Sequence, residues 1–270
     1  MYAIREPAVA GRFYAKSADE LARSVTTMLG AVPVTQGPAP KALIVPHAGY
    51  VYSGPVAARA YAELRRYRDR YRRVVLLGPS HRVAFQGLAM ANAAAFRTPL
   101  GDVRIDHEPV AGLDIPGLRV ADAPHVAEHS LEVQLPFLLN VLGDFALVPI
   151  VVGDAAPALV ARVLDALWDG PETLIVISSD LSHYLAYEAA RKVDARTCEA
   201  IEHFDAERLD HDMACGATPV AGLLVVARRR GLNIRTLDIR NSGDTSGDKS
   251  SVVGYGAWVL FDKPDKPGAA

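Results

Sequence analysis

Four short stretches of the chain, residues 42–45, 74–77, 146–152 and 174–177, are apolar at every position and rich in Val, Ile and Leu. A strand with one wetted face alternates apolar and polar side chains, so runs without alternation predict strands covered on both faces. Helical patterns lie between them. Ser17-Ala18-Asp19-Glu20 reads as a capping box ahead of Leu21, Val25 and Met28. Gly54-Pro55 begins a second helix with Ala58, Tyr61 and Leu64 on one face. A third runs through Leu131, Leu135, Leu138 and Leu139 with Pro136 as an interruption, and a fourth through Leu159, Val163 and Leu167.

Strands alternating with helices predict an α/β fold with a largely parallel sheet, helices packing on both of its faces. Residues 233–239 and 251–261 read instead as two strands joined by a Gly, Asp and Ser loop, which adds antiparallel pairing and makes the sheet mixed. No repeat or long linker divides the chain. One domain over residues 1–262 and a frayed Pro-, Lys- and Gly-rich tail over 263–270 are expected.

Half of the 270 residues are hydrophobic, enough for a sizeable core. Lys and Arg number 29 against 31 Asp and Glu, and a net charge of -2 gathers no polyanion, so nucleic acid is not an expected partner. The arginines of 65–73 and 228–230 end apolar helical stretches, where cations are favoured. The first ten residues lack the apolar stretch of a signal peptide, and the longest greasy segment, 217–227, is about half of a membrane span. A cytoplasmic protein away from membranes follows as an expectation. The two cysteines, Cys198 and Cys215, are then unpaired; Cys198 reads as helix core, and Cys215, beside Gly216, is placed to line a pocket.

In an open α/β sheet, ligands bind beyond the carboxyl ends of the strands. Three of the eight histidines lie just there: His47 after 42–45, His81 after 74–77 and His183 after 174–177. One such histidine is ordinarily a turn residue, but three on one rim form a donor set for a divalent transition metal, and iron favours two imidazoles with a carboxylate. The closing loop, Asn241 to Asp248, offers the acids, with Asp244 first and Asp248 second. Residues sharing these motifs, Tyr50, Ser80, Asp180 and Glu132, together with Cys215, are expected to touch substrate. His125-Val126-Ala127-Glu128-His129 spells an inverted zinc-protease motif, a weak signal that needs a helix and a further downstream acid.

In these residues the chain resembles the Memo family, whose prokaryotic members are called AmmeMemoRadiSam system protein B. The resemblance runs from Pro7-Ala8-Val9-Ala10-Gly11-Arg12-Phe13-Tyr14 through the turns at His47 and His81 and Phe96-Arg97-Thr98-Pro99. It continues through Glu128-His129-Ser130-Leu131-Glu132, the turn at His183 and Ala214-Cys215-Gly216 to Val252-Val253-Gly254-Tyr255. It implies a fold like that of class III extradiol dioxygenases, with Fe(2+) on His47 and His81, although another divalent metal or copper would also suit the site. His183 would be an acid or base, and His129 would face the same pocket. Animal members have a cysteine among the ligands; the closing loop here has none and offers Asp244 or Thr245. A dioxygenase-like oxidoreductase is implied first, and second a pocket binding a small molecule or peptide without catalysis. The family's name implies AMMECR-type and radical SAM partners.

Overall fold

The computed structural model describes residues 3–33 and 36–263. In chain order its strands are β1 (Ile4–Arg5), β2 (Ala42–Val45), β3 (Arg73–Pro79), β4 (Leu88–Met90), β5 (Ala95–Thr98) and β6 (Gly101–Arg104), then β7 (Leu118–Val120), β8 (Ala146–Val152), β9 (Thr173–Ser178), β10 (His183–Leu185), β11 (Asn233–Asn241) and β12 (Val252–Phe261). The helices are α1 (Ala18–Gly30), α2 (Tyr50–Ala62), α3 (Ala123–Val126), α4 (Leu135–Leu142), α5 (Pro157–Ala166), α6 (Tyr187–Glu202), α7 (Ala217–Arg230) and α8 (Ser242–Ser246).

The four apolar runs become β2, β9, β3 and β8, adjacent and parallel in that order. Apart from the half-buried Arg73 that starts β3, every position in them is buried, as a sheet covered on both faces requires. Helices α1, α2 and α4 pack together, as do α5 and α7, with α2 against β2 and α7 against β3 and β9. Antiparallel pairing enters at both ends, through β4 on β8 and through β12 on β2, so the sheet of nine strands is mixed. β11 and β12 pair antiparallel almost throughout, as the closing pattern predicts. A separate small sheet joins β1, β5 and β6.

β12 has a double role. Its Trp258 to Leu260 pair with β2, whereas Val252 and Val253, at the other end of the strand, pair with β10. The strand thereby seats His183 on the rim where the parallel strands end.

Some local expectations shift. Ser17 precedes α1 but makes no side-chain cap bond, leaving Asp19 and Glu20 to favour the helix start by charge alone. α2 opens at Tyr50 rather than at Gly54, its first N–H held by Phe13 carbonyl at 2.7 Å, and Pro55 sits inside it. Pro136 lies in the first turn of α4, where a missing N–H costs nothing, so it opens that helix instead of interrupting it. Of the expected tail, only Lys263 falls within the described residues. No described helix is long and apolar enough to cross a membrane.

Candidate metal centre

His47 follows β2, His81 follows β3, and His129 stands in the turn after α3; their rings meet at centroid distances of 5.1 Å, 5.5 Å and 4.8 Å. One donor atom from each lies within 4.8 Å of the others, a spacing that could hold a metal ion. Among the described residues these three form the group of His, Cys, Asp or Glu side chains with that property.

Hydrogen bonding decides which ring nitrogens are free. Ser178 Oγ donates to Ser130 carbonyl at 2.6 Å, so toward His47 Nδ1, 2.9 Å away, it can only accept. His47 therefore carries its proton on Nδ1 and directs a lone pair outward from Nε2. Glu128, a carboxylate, can also only accept, and its Oε1 lies 2.9 Å from His81 Nδ1. His81 thus also has a free Nε2. Glu128 further receives the backbone N–H groups of His81, His129 and Ser130 at 2.5–2.9 Å. Burial by itself would raise its carboxyl, but the bonds from His81 outweigh that and hold it well below the usual carboxylate range. His129 Nδ1 is 3.3 Å from the same oxygen yet buried without a hydrogen bond.

Burial, reinforced by the other two rings, pushes His47 well below the ordinary histidine range. Burial also lowers His129, to about 4. Both rings are thereby kept neutral, the state in which imidazole ligates a metal. A thiol stands beside them. Cys215, in the turn before α7, places Sγ 3.2 Å from His47 Nε2, and burial pushes this thiol well up, so it is protonated without a metal. Asp180 receives the N–H of His47 on Oδ1 at 2.7 Å, leaves Oδ2 4.0 Å from His47 Nε2, and is raised by burial to about 7. The donor set therefore fits a transition metal: three imidazoles, two held neutral by burial, with a thiol and a carboxylate in support.

The group opens into a cavity of about 910 Å³ that also takes in His183, Tyr52, Tyr255 and Cys215. His183, lowered by burial, lines this wall outside the histidine trio.

Several expected residues sit elsewhere. Asp244 does not join the imidazoles: its oxygens accept from Asn241 N–H at 2.9 Å and Tyr187 hydroxyl at 2.6 Å, closing a capping box on α8. Asp248 is the closing-loop acid that lines the cavity. Glu132 is fully buried and turned away, paired with Arg5 and receiving Ala8 N–H, Val9 N–H and Tyr14 hydroxyl. Tyr50 points its hydroxyl at Val133 carbonyl, leaving Tyr52 to face the cavity, and Ser80 donates to Val83 carbonyl. The inverted protease motif does not form a metal-binding helix. α3 ends at Val126, and His125 is buried with Nε2 on Ala89 carbonyl. The approach of Cys215 to His47 gives no local sequence signal beyond its neighbouring glycine.

A family model described as Memo-like protein matches residues 5–259. The chain belongs to the Memo family. A MEMO1 family protein of Aeropyrum pernix is 38% identical over 94% of this chain and 98% of its own length. One from Aquifex aeolicus is 38% identical over 96% and 99%. Among solved structures, an uncharacterized protein from Escherichia coli K12 covers 81% of the chain and 98% of its own, with a TM-score of 0.51 at 14% identity, a likeness of fold. The histidine trio is thus a candidate metal centre in a Memo family member.

Proposed function

We propose that this Memo family member is a metal-dependent oxidoreductase acting on small molecules, with ferrous iron the first choice of metal on His47, His81 and His129. The observation that carries the reading is the convergence of three imidazole donors, from three separate turns, within 4.8 Å at the floor of a cavity. Bound there, a redox-active ion would supply Lewis-acid and one-electron chemistry. Ser178 and Glu128 orient the rings of His47 and His81, Asp180 fixes the backbone of His47, and His183 is positioned to move a proton at the cavity wall. Three imidazoles also suit zinc and copper(II), and the thiol of Cys215 would favour softer ions. Within this reading the chain acts beside AMMECR-type and radical SAM proteins, which co-purification tests.

Elemental analysis of protein purified without oxygen, followed by oxygen-uptake assays on a panel of small chelating molecules, tests the proposal. His47→Ala and His129→Ala should each remove most of the metal, whereas His183→Ala should keep the metal and lose turnover. Exposed His203, on the far end of α6, should be silent. Unchanged metal in both ligand variants refutes the site.

A second reading, a binding pocket without catalysis, has its own support. Val51 and Tyr184 at the cavity mouth are 75% and 78% exposed, an apolar rim suited to covering by a peptide. Ligand binding that survives removal of metal, with no oxygen uptake, would favour it.

A further inference from the structure

The three imidazoles are not held alike. His47 and His81 each have a ring nitrogen bonded to a neighbour, Ser178 for one and Glu128 for the other, which fixes the plane of the ring. His129 differs: its Nδ1 is buried without a hydrogen bond, and Glu128 holds its backbone N–H instead, at 2.8 Å. This ring must be aimed by the placing of its turn and by the side chains packed on it. Outside the trio it meets Phe13 edge-on, at a centroid distance of 4.9 Å and an interplanar angle of 65°.

Phe13 belongs to a tight loop ahead of α1. The N–H groups of Arg12 and Phe13 both bond to Val9 carbonyl, at 3.0 and 2.9 Å, and Gly11, left-handed at φ 80°, gives its N–H to Tyr14 carbonyl at 2.7 Å. Glu132 closes the loop: its Oε1 accepts Val9 N–H at 3.0 Å and Tyr14 hydroxyl at 2.5 Å, one group on each side of Phe13. The same carboxylate, three residues after His129 and fully buried, pairs with Arg5. Arg5 is buried too, and its other donors reach the carbonyls of His125, at 3.0 Å, and of Glu128, the residue before His129. One buried ion pair therefore anchors both the loop that carries Phe13 and the turn that carries His129. Phe13 carbonyl in turn receives the N–H of Tyr50, three residues after His47.

We propose that residues 5–14 are a positioning strap for the third imidazole, in which Phe13 sets the plane of the His129 ring and Arg5 with Glu132 sets the turn beneath it. Arg5, Phe13 and Glu132 are positioning residues, acting on a metal through His129. A ligand histidine is ordinarily oriented by a bond to its second nitrogen; with that bond missing, an edge-on aromatic contact takes its place. The desolvation of two charges offsets most of their attraction, so the Arg5–Glu132 pair serves chiefly to fix one arrangement of the groups it joins. This rests on the metal reading above only for the use to which the fixed ring is put.

In metal-free protein, nitrogen NMR of the histidine rings reads their order directly. Phe13→Ala should broaden or double the His129 ring signals and leave those of His47, fixed by Ser178, single. Phe13→Tyr, which keeps the ring edge, should restore them. Chelator competition for zinc ion alone reads the consequence: Phe13→Ala should weaken zinc binding by about tenfold, whereas Phe13→Tyr should not. The double variant Phe13→Ala with His129→Ala should bind zinc as His129→Ala does, because a ring that is gone cannot be misplaced. Arg5→Lys, which keeps the charge but lacks the fork, should match Phe13→Ala. Arg5 is buried, and should its variant fail to melt cooperatively, the half-buried Phe13 decides alone. A single, sharp set of His129 signals in Phe13→Ala overturns the proposal. So does a tenfold loss that Phe13→Ala adds to that of His129→Ala, or wild-type zinc affinity in a folded Arg5→Lys. Should the wild-type protein bind no zinc, the metal reading fails while the ring signals still decide the strap.

Discussion

Glu128 governs two of the three imidazoles. It accepts the ring proton of His81 and the backbone N–H groups of His81, His129 and Ser130, so one carboxylate spaces the two turns. Glu128→Gln keeps the shape but places an amide donor against N–H groups that all donate. Metal affinity should fall by about 10- to 100-fold in a chelator competition, while Asp244→Asn, on a side chain committed to α8, should leave it unchanged. The opposite ranking would return the third ligand to the closing loop. His47 and His81 were legible in the sequence because each directly follows an apolar run, and strand ends define one rim. Cys215 was legible as a pocket residue through its place beside Gly216, but its approach to His47 was not, because that contact is made through space. Tyr52 replaces Tyr50 in the cavity for a local reason: α2 starts at Tyr50, which turns inward, and the helix points the residue two places on elsewhere.

At the level of elements, the strand centre was readable and the edges were not. Complete burial marks β2, β8, β9 and all of β3 after Arg73 by composition, whereas β4, β7 and β10 are three-residue strands that exist through their partners. The turn into β10 depends on α6. Asp194, buried on that helix, accepts Ser182 N–H at 3.0 Å, and Gly254 of β12 packs so closely that a Cβ there would lie 2.2 Å from Asp194 Oδ2. Burial raises the Asp194 carboxyl to about 6 from its ordinary 3.8. Between these values the folded protein holds a proton that the unfolded chain releases, so the penalty from the buried charge is complete above pH 6 and fades as pH falls toward 3.8. Asp194→Asn should therefore stabilise the protein at pH 8 by roughly 1–2 kcal/mol and give no gain near pH 4. Denaturant unfolding at the two pH values measures this. A gain that is equal at both would show that the charge is not its source.

Across the whole molecule, stability and chemistry occupy opposite ends of the sheet. Lys41, just before β2, donates from Nζ to the carbonyls of Trp168, Asp169, Gly170 and Thr173 at 2.7–3.3 Å, tying the turn ahead of β9 to the start of β2. His47 lies past the other end of the same strand. Lys41→Met should strip buried carbonyls of their donor and cost about 2–4 kcal/mol in denaturant unfolding, with metal content unchanged. An unaltered unfolding midpoint would show that the cage is dispensable. Distance along the chain also matters for the order of assembly. β12 lies inside the sheet, against β2 and β11, and supports β10, yet it is the last described strand to leave the ribosome. During synthesis His47, His81 and His129 emerge while the place of β12 between β2 and β11 is still empty. A nascent chain therefore carries its imidazoles before it can build the wall at His183, and the pocket closes only when translation has delivered the strand that joins early sequence to late.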